Sequence, residues 1–163
     1  MSRSGYSDDC DGWALIRWRG AVNSAIRGER GQAFLRELAA ALDAMPEKRL
    51  IADELQTADG EFCTIGVLGA ARGIDMSKLD PYDRQSVAEA FNIAPALAAE
   101  IVFENDEGLY PWDWVDVEVC GPLRRWDQRI KSVRVPIQRA EEQRWHRMRQ
   151  WVESHIQATG EKA

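Results

Sequence analysis

The chain has 163 residues, 45% of them apolar and 29% charged, with a formal net charge of −6. One domain is the expectation at that length, with a core that buries roughly 70% of the unfolded surface, and the composition excludes a disordered chain. No apolar run approaches the ~20 residues of a membrane span, the opening MSRSGYSDDC lacks a signal peptide's apolar stretch, and a net-acidic chain with no dominant basic face is a poor general binder of nucleic acid.

In chain order, a first helix is expected over about 11–27. Asp8, Asp9 and Asp11 crowd its N-terminus, where the helix dipole favours negative charge, and Leu15, Trp18, Val22, Ala25 and Ile26 form one apolar stripe. Gly28 suits its stop. A second helix covers about 29–44, with Phe34, Leu35, Leu38, Leu42 and Met45 inward and Pro46 beyond its end. The short connector makes these two an antiparallel helical hairpin. Leu50–Ala52 reads as a short strand or an extended connection, and Asp59-Gly60 as a turn. Cys63 to Arg72 reads as a helix of small residues, with Gly73 as its cap. Asp80 as N-cap, Pro81 at the first helical position and Asp83 in the first turn open the next helix, which Asn92 ends. Pro95 opens a nearly all-apolar helix to about Glu104, expected at the centre of the fold. The last helix, about 138–157, points Trp145, Met148, Val152 and His155/Ile156 inward.

Between the last two helices the pattern changes. FENDEGLYPWDWVDVEVC, residues 103–120, holds six acids (Glu104, Asp106, Glu107, Asp113, Asp116, Glu118) and no base. The next 19 residues, 121–139, hold six bases and one acid, Asp127. Residues 112–120 alternate, with Val115, Val117 and Val119 on one face and Trp114, Asp116 and Glu118 on the other. IKSVRVPI alternates too, with Val133, Val135 and Ile137 against Ser132 and Arg134. Two alternating, β-branched segments with a long loop between them read as an antiparallel hairpin. The pairing is expected to set Asp116 and Glu118 across from Arg134 and neighbouring bases, and to lay the valine face on the helical body.

Four kinds of chemistry can be weighed. SVAEAFNIAPALAAEIV, residues 86–102, fits a helix-turn-helix spacing, but the only charge on its second helix is Glu100, so it carries nothing to read a base edge. Glu142 and His146 stand four apart, as a metal pair would or as an ordinary surface ion pair does. Cys63 precedes a Gly-rich helix whose dipole favours a thiolate; its base would have to be His146 or His155. GVLGAARG lacks both the Lys-Ser/Thr of a phosphate loop and the GxGxxG spacing. Asn105-Asp106 reads as a functional pair or as a helix cap through an Asx turn. The scattered cysteines, Cys10, Cys63 and Cys120, form no CxxC pair and fit reduced thiols in a cytoplasm.

Seven tryptophans are more than a core of this size needs. Trp112, Trp114 and Trp126 lie in or beside the hairpin, with Arg124 and Arg125 next to them. Trp and Arg together are the composition of a protein-binding surface; the alternative is that the rings pack onto the helical body.

The segments SGYSDDC, WALIRWRGAVNSAIRGERGQAFLRELAAALDAMPEKRLI, CTIGVLGAARGIDM, ALAAEIVFENDE and RWHRMRQWVESHI together resemble a family of small uncharacterised proteins encoded in phages and prophages of proteobacteria. The resemblance implies an accessory protein of a mobile element acting in a host bacterial cytoplasm. It also implies that residues 109–137 elaborate a helical core made of 11–106 and 138–158 within a single domain, 1–163.

The expected fold is therefore α+β, predominantly α-helical, with about six helices and one inserted antiparallel β-hairpin. The expected function is non-enzymatic: a phage factor that binds a host protein or complex and inhibits or modulates a host system such as defence. Its partner-binding residues would be Trp112, Trp114, Asp116, Glu118, Arg124, Arg125, Trp126 and Arg134. No catalytic residue, metal, cofactor or membrane contact is expected, and specific DNA binding is not expected. The alternatives are a nucleic-acid-binding regulator using the helix-turn-helix-like segment at 83–103, and a small cysteine hydrolase built on Cys63.

Overall fold

Helices α1 (Gly12–Arg27) and α2 (Glu29–Ala44) are joined by one residue, Gly28. The structure, a computed structural model, describes residues 3–6, 12–109, 112–122 and 129–158. Next come α3 (Thr64–Arg72), a short 3₁₀ turn (Met76–Lys78), α4 (Arg84–Phe91) and α5 (Pro95–Asp106). Strands β1 (Trp112–Glu118) and β2 (Ile130–Pro136) follow, and α6 (Ala140–His155) closes the fold. Among the described residues the protein is thus α+β and mostly helical, with one two-stranded antiparallel sheet.

The core follows the apolar periodicity of the helices. On α2, Phe34, Leu35, Leu38 and Leu42 are buried as their spacing predicts, while Met45 packs at the margin. A Cβ at Gly31 would lie 1.9 Å from the Ala25 carbonyl oxygen, so glycine lets α2 begin this close to α1. On α1 only Val22 and Ile26 are fully buried; Trp18 and Ala25 pack at the edge and Leu15 is exposed. Helix α5 is central, in contact with α1, α3, α4 and α6.

The caps decide the boundaries. Gly73 closes α3 in the left-handed region, and Asn92 does the same for α4. The N-cap of α4 is Asp83 rather than Asp80: its carboxylate accepts from the Gln85 and Ser86 N–H groups, at 3.0 and 3.2 Å. Asp80 instead accepts from the Tyr82 N–H within the preceding turn, so the helix starts three residues later than its acidic opening suggests. Leu50–Ala52 forms no strand, and Ala52 begins a bend; the Leu50 N–H donates to the Glu141 carbonyl and the Ile51 N–H to that of Phe62.

Asn105 and Asp106 do not cap α5 from outside. They form its last turn, and Asn105 is 1% exposed. The Asn105 side-chain oxygen accepts from both the N–H and the hydroxyl of Thr64, at the start of α3. Its amide donates to the Ile51 carbonyl and to Asp106. Its own carbonyl accepts from Arg144 Nε of α6, whose Nη1 reaches the Leu50 carbonyl. Asp106 takes a two-pronged pair from Arg3, at 2.7 and 2.8 Å, with both side chains nearly sealed from solvent. Burial lowers the pKa of Arg144. Burial also works against the charge of Arg3, but Asp106 and the neighbouring Cys63 thiol outweigh it, and that guanidinium holds its proton more tightly than usual.

Two outcomes follow from this packing. Asn105→Ala strands the Thr64 donors and the Ile51 acceptor in the interior, and should cost at least about 3 kcal/mol in urea unfolding. Asp43 on α2 is held below its ordinary value of 3.8, chiefly by its hydrogen bond to Arg149 of α6. A depressed carboxylate contributes stability above its unfolded value and loses it as pH falls through the folded one. The melting-temperature difference between wild type and Asp43→Asn should therefore be present at neutral pH and disappear as the pH is taken from about 3.8 downward.

Candidate functional site

The strands form because β-branched residues alternate with polar or aromatic ones. The register sets Trp112 opposite Pro136, Trp114 opposite Arg134, Val115 opposite Val133, Asp116 opposite Ser132 and Glu118 opposite Ile130. Directly opposed residues share a face. One face of the ribbon is therefore aliphatic, centred on Val115, Val117, Val133 and Val135; the other carries Trp112, Trp114, Asp116, Glu118 and Arg134.

The valine face does not lie on the helices. Every strand residue except Trp112 is exposed, the four valines at 37–44%, and neither strand packs substantially on any helix. Alternation predicted which side chains share a face; the covering of that face is a separate matter, and here both faces are open.

On the aromatic face, Arg134 is held between two indoles. Its guanidinium carbon lies 4.2 Å from the Trp112 ring centroid and 5.1 Å from that of Trp114. The two rings meet edge to face with centroids 5.8 Å apart. A cation over an aromatic face contributes ~0.5–1 kcal/mol at an exposed site, and the arrangement restrains three large side chains against one another. Trp114 stays 54% exposed.

The acidic run is answered piecemeal. Asp116 accepts from the Ser132 hydroxyl, and Glu118 lies 3.6 Å from Arg129. Neither meets Arg134, because the register places that residue opposite Trp114, where the indole faces capture it. The earlier acids belong to the helical body: Glu104 pairs with Arg147, Asp106 with Arg3, and Glu107 accepts from the Ser4 hydroxyl. Arg124, Arg125 and Trp126 lie outside the described residues.

The rival chemistries find no assembled site among the described residues. Cys63 is 1% exposed; His146 stacks edge-on against Trp145, and the His155 ring contacts the Trp151 carbonyl and Ser154, so neither histidine joins the thiol. Glu142 lies 3.6 Å from Arg139, and no group of three or more His, Cys, Asp or Glu could hold a metal ion. Helices α4 and α5 meet at a 106° bend, but Pro95 is the one exposed residue of α5, and Glu100 accepts from the Tyr6 hydroxyl. The partly exposed face of this helix, Ala96, Glu100, Phe103 and Glu104, carries two acids and no base to meet a phosphate. Among the described residues, no single helix is long and apolar enough to cross a membrane.

No protein-family model, no curated protein and no solved structure matches the chain.

Sequence reasoning missed Arg144 and Arg3 as buried cations. Arg144 carried a signal, since it stands four and eight residues before Met148 and Val152 on the inner stripe of α6. Nothing local marked Arg3.

If the helices fold without the ribbon, removing residues 109–137 and joining Gly108 to Gln138 through two glycines should leave the helical circular-dichroism signal and cooperative melting intact. A shift of the transition by more than about 10 °C would place the hairpin in the folding unit.

Proposed function

We propose that the chain is a non-enzymatic protein-binding factor that recognises its partner with the β1–β2 hairpin. The observation that carries this reading is the open ribbon itself: a Trp–Arg–Trp cluster on one face and exposed valines on the other. Trp and Arg are the residues that most often dominate an interface, each typically worth at least ~2 kcal/mol when central. The cluster is restrained in advance, which lowers the entropy lost on binding. The resemblance of the quoted segments to phage and prophage proteins supports a host protein or complex as the partner. Inhibition or modulation of a host defence complex, in the host cytoplasm, is the role we assign to that binding.

Comparison of two baits tests the proposal. Wild-type protein should retain a specific host protein from bacterial lysate; Trp112→Ala/Trp114→Ala should lose it while melting within a few degrees of wild type. Equal retention by both baits would remove the hairpin from recognition. An unfolded double variant would show the rings to be structural.

A further inference from the structure

A concavity lies away from the hairpin, walled by α2, α3 and residues 46–62, with a volume of about 490 Å³. Cavities that hold small ligands are typically ~300–1,000 Å³, mostly apolar, with a few polar groups at fixed places. Met45, Leu50, Ile51, Phe62 and Val67 contribute apolar lining, and Ala70 and Ala71 of α3 leave room where larger side chains would close it. None of its lining residues comes from either strand.

The charges around it are unbalanced. Glu47, Asp59, Glu61 and Glu141 line the cleft, against one base, Arg49. That guanidinium is already shared: it hydrogen-bonds Glu141 and lies 3.6 Å from Glu61 and 3.7 Å from Glu47. Lys48 is close in sequence but committed elsewhere, with its ammonium donating to the Leu42, Asp43 and Met45 carbonyls at the end of α2. Four carboxylates against Arg49 and the adjacent Lys48, whose carbonyl bonds do not cancel its charge, leave a net of two negative charges beside an apolar chamber. Such a field attracts a cation and repels an anion. A third observation limits the size of the occupant. The backbone beside the cleft is paired within the fold: Leu50 N–H to Glu141, Ile51 N–H to Phe62 and Thr57 N–H to Glu61. No ladder is offered there to an added peptide strand.

We propose that this cleft binds a small organic cation, a primary amine or guanidine carried on an apolar body, with the body in the chamber and the charge beside Glu61 and Asp59. The site is separate from the hairpin and its occupancy does not depend on partner recognition.

Three probes with one apolar body and different heads test this: phenylbutylamine, phenylbutanol and phenylbutyrate, followed by calorimetry and by amide shifts in the full chain. The amine should bind at least about tenfold tighter than the carboxylate, with the alcohol between them, and the advantage should shrink in high salt. Ala70→Leu, at an exposed position of the wall, should weaken the amine about tenfold with the circular dichroism unchanged. Asp59→Asn/Glu61→Gln should weaken the amine and leave the alcohol unaffected. Equal affinity for all three heads, or binding insensitive to both variants, would overturn the proposal. So would binding of acetyl-Leu-Phe-Lys-amide without binding of the amine, since the cleft would then be a protein-docking groove.

Discussion

Asn105 and Asp106, two consecutive residues in the last turn of α5, hold together five parts of the chain: the start of α3, the 50–53 segment, α6, the N-terminal segment and α5 itself. Asn105, Arg144 and the Arg3–Asp106 pair are largely removed from water, so they depend on their partners; removing one member of a buried ion pair typically costs ~3–5 kcal/mol because the other charge is left behind. The arrangement is specific in direction as well as strong. Arg144 can reach both the Asn105 and Leu50 carbonyls only if α6 returns alongside the end of α5. Arg147 pairs with Glu104 one turn further along α6. The cluster thereby fixes the end of α5 and the beginning of α6, the two elements that flank the hairpin.

The ribbon between those elements has a different energetic character. A lone two-stranded hairpin is marginal in water, and this one gains little by packing on the helices. Its stability rests on the ladder, on the Arg134–Trp112–Trp114 cluster, and on contacts such as Ser132 with Asp116. Apolar surface left open on both faces at that marginal stability is the feature on which the proposed protein-binding role rests. The helical body shows the contrast, with Leu35, Leu38, Leu97, Ile101 and Met148 wholly shielded.

What the sequence revealed, and what it hid, follows from the range of each interaction. Helix periodicity and punctuation are local, so Phe34, Leu35, Leu38 and Leu42 could be assigned inward, and Gly73, Asn92 and Pro95 placed at helix ends. Alternating valines likewise located both strands. Asp80 and Asp83 are both competent caps three residues apart, and only the folded turn decides between them. Asn105 looked like a helix terminator because its partners, Thr64 and Ile51, lie 41 and 54 residues away and leave no trace in local spacing. The hairpin's orientation was misread for a related reason. Alternation defines a face, but whether that face is covered depends on contacts that period-two patterning does not encode. Of the binding residues expected from the sequence, Trp112, Trp114 and Arg134 come together, and Asp116 and Glu118 share their face.

The central claim is that a helical body carries a separately and weakly stabilised ribbon. Native-state hydrogen exchange on the free protein tests it most directly. The cross-strand amides of Val115, Val117 and Val119 should open at free energies near zero to ~2 kcal/mol, while amides of α2 and α5 should exchange only through global unfolding. Protection of the hairpin amides equal to that of α5 would show that the ribbon is part of the folding core and would contradict the account.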